Sequence, residues 1–357
     1  MSAGGSVSTG GSVSTGGSVS AGGSVSAGGS AGGSVSTGGA TAGTCPAMSA
    51  CNAPLPTYRD KRRSDPLSTL VTSLGSTMHR GRDLFLTPGD PQWIIAKFTY
   101  GGLVDKDLKG EEVDIYLLRD CGDTWEYLGA AVTTNDGQHA TVEGADDTGG
   151  RIYFQIPADK ELGVGRHRVH LVVAPDHTTT DLFIEVWPKG TQLWVTDIDG
   201  TLTTQETEQF QLLFSSQLPN MNPDAAVVSQ LAAQKGMRPF YLTARPEFLV
   251  QKTRDFLDQN GFAPGIVRTE TNAIGALGSA AAPYKEAQLN PLSQRGYVFG
   301  YAVGNTDTDA AAYFNVGVTP DANRVFFKFD DTVHGGRRID AYSELFQELQ
   351  ALAADCP

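Results

Sequence analysis

Leu193-Trp194-Val195-Thr196-Asp197-Ile198-Asp199-Gly200-Thr201-Leu202-Thr203 is the stretch whose reading decides the fold. An apolar run ends in two carboxylates two positions apart, and a glycine follows. In an extended chain residues i and i+2 point the same way. Asp197 and Asp199 are therefore expected to face one site at the carboxyl end of a strand, with Gly200 allowing the sharp turn beyond. Two neighbouring carboxylates repel each other. A divalent cation relieves the conflict, and Mg²⁺ prefers oxygen ligands that bridge to a phosphate. Such a pair suits attack on phosphorus by one carboxylate and proton transfer by the other.

Downstream, apolar strand-like runs alternate with helical stretches. Strands are expected over 192–196, 238–242, 265–267, 297–303 and 324–329, and helices over 223–235, 246–259, 307–314 and 341–353. That alternation implies a parallel sheet covered on both faces, with its site at the carboxyl ends of the strands. Three segments supply matching chemistry. In Tyr241-Leu242-Thr243-Ala244-Arg245-Pro246, Thr243 offers a hydroxyl donor and Arg245 either a phosphate clamp or a structural pair for a carboxylate. Lys285 offers positive charge. Val303-Gly304-Asn305-Thr306-Asp307-Thr308-Asp309 leaves another apolar run and offers oxygen ligands.

These segments together resemble the haloacid dehalogenase (HAD) phosphatase superfamily, and most nearly the lipin-type catalytic domain. The residues that carry the likeness are Asp197 through Thr203, Thr243-Ala244-Arg245, Tyr284-Lys285, and Gly304-Asn305 through Asp309 to Val316-Gly317. The stretch 241–265 is also similar to the related domain that ends the multidomain phosphatidylinositol-transfer proteins, and Pro246-Glu247-Phe248 is nearer that version. The resemblance implies a Mg²⁺-dependent phosphatase of phosphatidate or a related lipid phosphate, working through an aspartyl-phosphate. It casts Asp197 as nucleophile and Asp199 as acid/base. Thr243 and Lys285 would hold the phosphoryl group, with Gly200 and Arg245 also against the substrate. The implied metal ligands are Asp197, Asp199 through its carbonyl, and Asn305, with Asp309 orienting the shell and Asp307 an extra acid. Asp197, Thr243 and Lys285 follow one another too closely for a separate cap domain, so a capless HAD-like sheet is expected. A stretch over 205–221 is a candidate flap, its Phe210, Leu212, Leu213 and Phe214 either meeting acyl chains or packing in the core. Two rival readings stand beside this one: a catalytically inactive phosphatidate-binding module, as in the transfer-protein relatives that lack the nucleophile, and a phosphatase for soluble phosphomonoesters.

Upstream the chain changes character. The first 44 of its 357 residues lack Asp, Glu, Lys and Arg and hold 15 of the 42 glycines. A six-residue unit, Gly4-Gly5-Ser6-Val7-Ser8-Thr9, recurs through them. Such residues lose much entropy on ordering and gain little burial, so a disordered tether is expected over 1–44. A linker over 45–82 carries the basic cluster Arg59, Lys61, Arg62 and Arg63 and a helix that starts at Pro66. This cluster either touches an anionic membrane or packs on its neighbour. Over 83–189, six alternating runs separated by turn clusters read as an all-β sandwich. His170 falls in one of them and is expected to be packed. Residues 190–357 form the α/β domain.

The formal charge is −13, from 27 basic and 40 acidic residues, which argues against a nucleic-acid partner. No run is long and apolar enough for a transmembrane helix. Nor does an apolar leader follow Met1. The cytoplasm is the default expectation, with export or surface anchoring if the true start lies upstream. Of the four cysteines, Cys45 and Cys51 are placed to close a small loop, which would fit an oxidising compartment; four free thiols is the other reading. The sequence leaves the oligomeric state open.

Overall fold

The computed structural model describes residues 43–61, 66–73, 75–101, 105–204, 218–272, 274–276 and 278–357. The expected tether and flap lie outside these residues, except for residues 43, 44 and 218–221.

The run Gln192–Thr196 is the central strand of a six-stranded parallel sheet. The strands lie in the order Ile266–Glu270, Arg238–Pro246, Gln192–Thr196, Val298–Gly304, Arg324–Phe327 and Arg337–Ile339. Numbered along the chain this is 3-2-1-4-5-6, a doubly wound order that reverses between Gln192–Thr196 and Val298–Gly304. Alternate residues of the central strand serve opposite faces. Trp194 packs with Ala225–Gln234 and Val250–Gln259, whereas Leu193 and Val195 pack with Ala281–Arg295 and Asp307–Asn315. Covering both faces is what the apolar runs require.

In the parallel-sheet half one strand and one α-helix had no expected counterpart. The edge strand Arg337–Ile339 has three residues, too few to show a period. Helix Ala281–Arg295 contains Pro283 near its start and Pro291 inside it. Both prolines argue against a helix when read locally. Burial of Tyr284, Leu289 and Leu292 in the core below holds it in place.

The preceding half is a β-sandwich. Glu112–Leu118, Trp125–Val132, Gly165–Val173 and Thr179–Val186 pair antiparallel, and Leu84–Leu86 adds to Thr179–Val186 in parallel. Against this sheet lie Arg80–Gly81, Trp93–Lys97 and Arg151–Gln155. Val113, Ile115, Leu117, Val169, Leu171 and Val173 face Ile94, Ala96 and Ile152 in one core. The outer face is closed by the segment after Cys45. Tyr58 bonds His170 at 2.8 Å, Trp125 donates to the Pro54 carbonyl at 2.7 Å, and Arg168 donates to the Cys51 carbonyl at 2.9 Å. Arg59 and Lys61 pair with Asp114 and Glu112, so half of the basic cluster packs on its neighbour. Arg62 and Arg63 lie outside the described residues.

Sandwich and parallel sheet belong to one compact unit, Thr41–Pro357. Asp83, wholly buried, joins them: its carboxylate accepts from Phe183 N (2.8 Å), Val267 N (3.0 Å) and Arg254 Nη2 (2.7 Å). Phe85 beside it sits in the core of the α/β half. The expected Cys45–Cys51 loop is not formed. Cys45 bonds Cys356 and Cys51 bonds Cys121, so both bridges close long loops. Loop closure across 311 positions could not be read from local spacing.

Candidate functional site

The switch point of the sheet brings the candidate residues together. Asp197 leaves the central strand with its N–H still bonded to the Val303 carbonyl at 2.9 Å, so it stands at the strand's tip beside Asn305. Gly200 has φ +73°, the left-handed turn that its position demands. Asn222 donates to the Thr201 and Thr203 carbonyls (2.7 and 2.9 Å), and Tyr342 OH donates to the Thr201 carbonyl (3.0 Å). Neither strut is legible in the sequence. An isolated asparagine or tyrosine carries no local signal for a bond across so many residues.

The side chains of Asp197, Asp199, Thr243, Arg245, Lys285, Asn305 and Asp309 meet in this cluster in specific pairs, whereas Asp307 is exposed beside it. Lys285 donates to Asp197 Oδ1 at 2.7 Å and also to Asp309 Oδ1. Arg245 clasps Asp199 through Nε (3.0 and 3.1 Å) and Nη2 (2.7 Å), the carboxylate pair of its two sequence readings. Thr243 Oγ1 donates to Asp199 Oδ2 at 3.0 Å. Thr201, absent from the expected set, donates its hydroxyl between Asp197 Oδ2 (3.1 Å) and Asn305 Oδ1 (2.8 Å). Asp309 Oδ2 accepts from Asn305 N, Thr306 N and Thr306 Oγ1 in a reciprocal cap of the helix Asp307–Asn315. Asp307 lies in that helix's first turn, where acids favour the dipole.

Burial dominates the electrostatics. It raises the Asp197 carboxyl, and Asp309 and Asp199 add to the rise against the pull of Lys285. Burial alone would lower Lys285, but Asp197 and Asp309 outweigh it and hold its ammonium charged. Three carboxyl groups thus share two cations, Lys285 and Arg245, at a largely buried strand tip.

What each oxygen already does decides whether a hard cation suits the set. The Asp199 carboxylate is engaged by Arg245 and Thr243, and that of Asp309 by Lys285 and the helix cap. Asp197 Oδ2 and Asn305 Oδ1 converge on one hydroxyl and have the chemistry of a Mg²⁺ shell. Among the described residues no group of three or more His, Cys, Asp or Glu is placed to hold a metal ion.

Residues 77–186 match the family model "PITM 1-3, beta-sandwich domain", and residues 194–327 match "PITM 1-3, LNS2 domain". The chain resembles these two domains in tandem. It is 28% identical to "Protein retinal degeneration B" of Drosophila melanogaster over 78% of its own length and 21% of that protein. It is 31% identical to "Membrane-associated phosphatidylinositol transfer protein 2" of Homo sapiens over 53% of the chain and 13% of that protein. The corresponding type 1 protein of Rattus norvegicus is 27% identical over 62% of the chain and 17% of its own length. The chain thus spans between 13% and 21% of these relatives.

The matches overturn the expectation of a lipin-type HAD phosphatase, and with it those of an enzyme, a hydrolase and magnesium-dependent phosphatase chemistry. The α/β half matches the LNS2 model, and two of these relatives carry the names of phosphatidylinositol transfer proteins. An Asp-x-Asp pair at a strand tip records the frame, whereas the chemistry depends on what the carboxylates are paired with. Here both oxygens of Asp199, the expected acid/base, are bonded to Arg245.

Proposed function

We propose that the α/β half is a non-catalytic binding module for the phosphate headgroup of a membrane lipid, phosphatidate or a close relative. One observation carries this reading: the carboxylates at the switch point are locked in ion pairs, Asp199 with Arg245 and Asp197 with Lys285. The names of the relatives, phosphatidylinositol transfer proteins, support a lipid as the ligand. In this reading the α/β half is a capless HAD-like scaffold retained for recognition. Lys285 and Thr243 supply donors to the phosphate, Gly200 lets the backbone approach it, and Arg245 positions Asp199. A Mg²⁺ ion between Asp197 and Asn305 would add the positive charge that a dianionic headgroup needs.

Among the described residues no helix is long and apolar enough to cross a membrane, which accords with peripheral contact. The two disulfides favour a protein that works outside a reducing compartment.

Vesicle co-sedimentation tests the proposal, with phosphatidylcholine vesicles containing phosphatidate, phosphatidylinositol or neither, in Mg²⁺ and in EDTA. Phosphatidate vesicles should retain the protein at least tenfold better than phosphatidylcholine alone, and Lys285→Gln should lose that preference while keeping its circular dichroism. Equal retention on all three vesicles would end the proposal.

A further inference from the structure

Buried guanidiniums crowd the seam between the sandwich and the parallel sheet. Arg80, Arg82, Arg151 and Arg268 line a cavity of about 10 Å³ together with Asp83 and Glu247. Glu247 is shared by Arg151, through Nη2 (2.7 Å) and Nη1 (3.2 Å), and Arg80, through Nε (3.2 Å). Asp83 gives its carboxylate to Arg254 and to two backbone amides. Arg82 bonds the Glu143 carbonyl and Gln288, and Arg268 bonds the Asp83 carbonyl. Among the described residues neither Arg82 nor Arg268 has a carboxylate partner. Both are buried, at 9% and 7% exposure.

A guanidinium cannot escape this position by losing its proton, because it stays charged in proteins. Buried charges are paired almost without exception, yet four cations and two anions line this cavity. Burial, followed by the neighbouring charge of Arg82, pushes Arg268 down to about 9. Arg82 is lowered as well, mainly by burial. Among the described residues the buried Nε atoms of Arg151 and Arg268 have no hydrogen-bond partner. Water could accept those hydrogen bonds but could not offset the two excess charges.

We infer that this cavity is a binding site for a monatomic anion of halide size, which neutralises Arg82 and Arg268 and secures the sandwich to the parallel sheet. The volume, room for about one water-sized species, suits a single monatomic ion better than phosphate or a carboxylic acid. The site is separate from the switch-point cluster, so it stands or falls independently of the lipid-binding proposal.

The test has two parts, both on the full chain. Thermal unfolding is followed as sodium gluconate is exchanged for sodium chloride at constant ionic strength. The Tm should rise and saturate, and Arg268→Met should flatten the rise at least twofold because it removes one uncompensated charge. Crystals grown in sodium bromide should then show an anomalous peak in contact with Arg82 and Arg268. Absence of that peak overturns the inference whatever the unfolding curves show, and so does a Tm indifferent to chloride.

Discussion

At the scale of single residues, the structure turns ordinary side chains into unusual ones by what it places next to them. His79 is the plainest case. Burial, followed by Arg80, pushes it down to about 4 against the opposing pull of Asp176. Its Nδ1 accepts the Thr99 N–H at 3.2 Å, so the neutral ring carries its proton on Nε2, 2.9 Å from the Thr178 hydroxyl. Protonating Nδ1 would set two donors against each other. Unfolded histidine titrates near 6.5. Between about 6.5 and about 4 the unfolded chain binds a proton that the fold refuses, so stability falls as pH falls through that window, by about 3 kcal/mol in all. The His79 ring resonances should therefore titrate with a midpoint near 4, and a midpoint near 6.5 would refute the assignment. Nothing in the sequence around His79 foretold this, because the groups that enclose it come from distant strands. His170, by contrast, was expected to be packed from the alternation of its strand. It is buried between Tyr58 and Asp181 (2.8 and 2.9 Å).

At the scale of elements, strand tips and helix starts build the candidate site, and close approach sets their tolerance. Strand Val298–Gly304 ends on a glycine that has no Cβ to spare. A Cβ there would lie 2.4 Å from the Cβ of Asp309, the residue that caps the next helix and receives Lys285. Gly304→Ala should therefore cost about 1–3 kcal/mol in urea unfolding and should weaken phosphatidate retention along with stability. Wild-type stability in that variant would show that the strand tip and the helix start can separate without loss. The central strand was legible because its apolar run and its terminal carboxylates fall on different periods of one extended segment. Helix Ala281–Arg295 was not, since its two prolines argue locally against what the core beneath it enforces. Its residue Lys285 was picked out for its charge, but the helix that delivers it was not anticipated.

At the scale of the whole molecule, sandwich and parallel sheet share buried ion pairs, and the two ends of the folded part are tied by Cys45–Cys356. That bridge restricts the unfolded chain more than any short loop would. Reducing both disulfides should cost about 2–5 kcal/mol, read as a lower Tm in dithiothreitol. Cys45→Ser should reproduce most of that loss and Cys121→Ser less of it. A Tm unmoved by reduction would mean that the bridges contribute nothing to stability.

The sequence alone determined the order of the two β-containing halves, the central strand and the residues that meet at its tip. The halves and the central strand follow from local periodicity, whereas the grouping of residues as far apart as Asp197, Thr243, Lys285 and Asn305 came from the resemblance of their segments to a known family. Only the tertiary structure decided which cation holds which carboxylate, which cysteines bond, and how many arginines share the seam. Those outcomes depend on distances between residues far apart in the chain, which burial fixes and spacing along the chain does not encode.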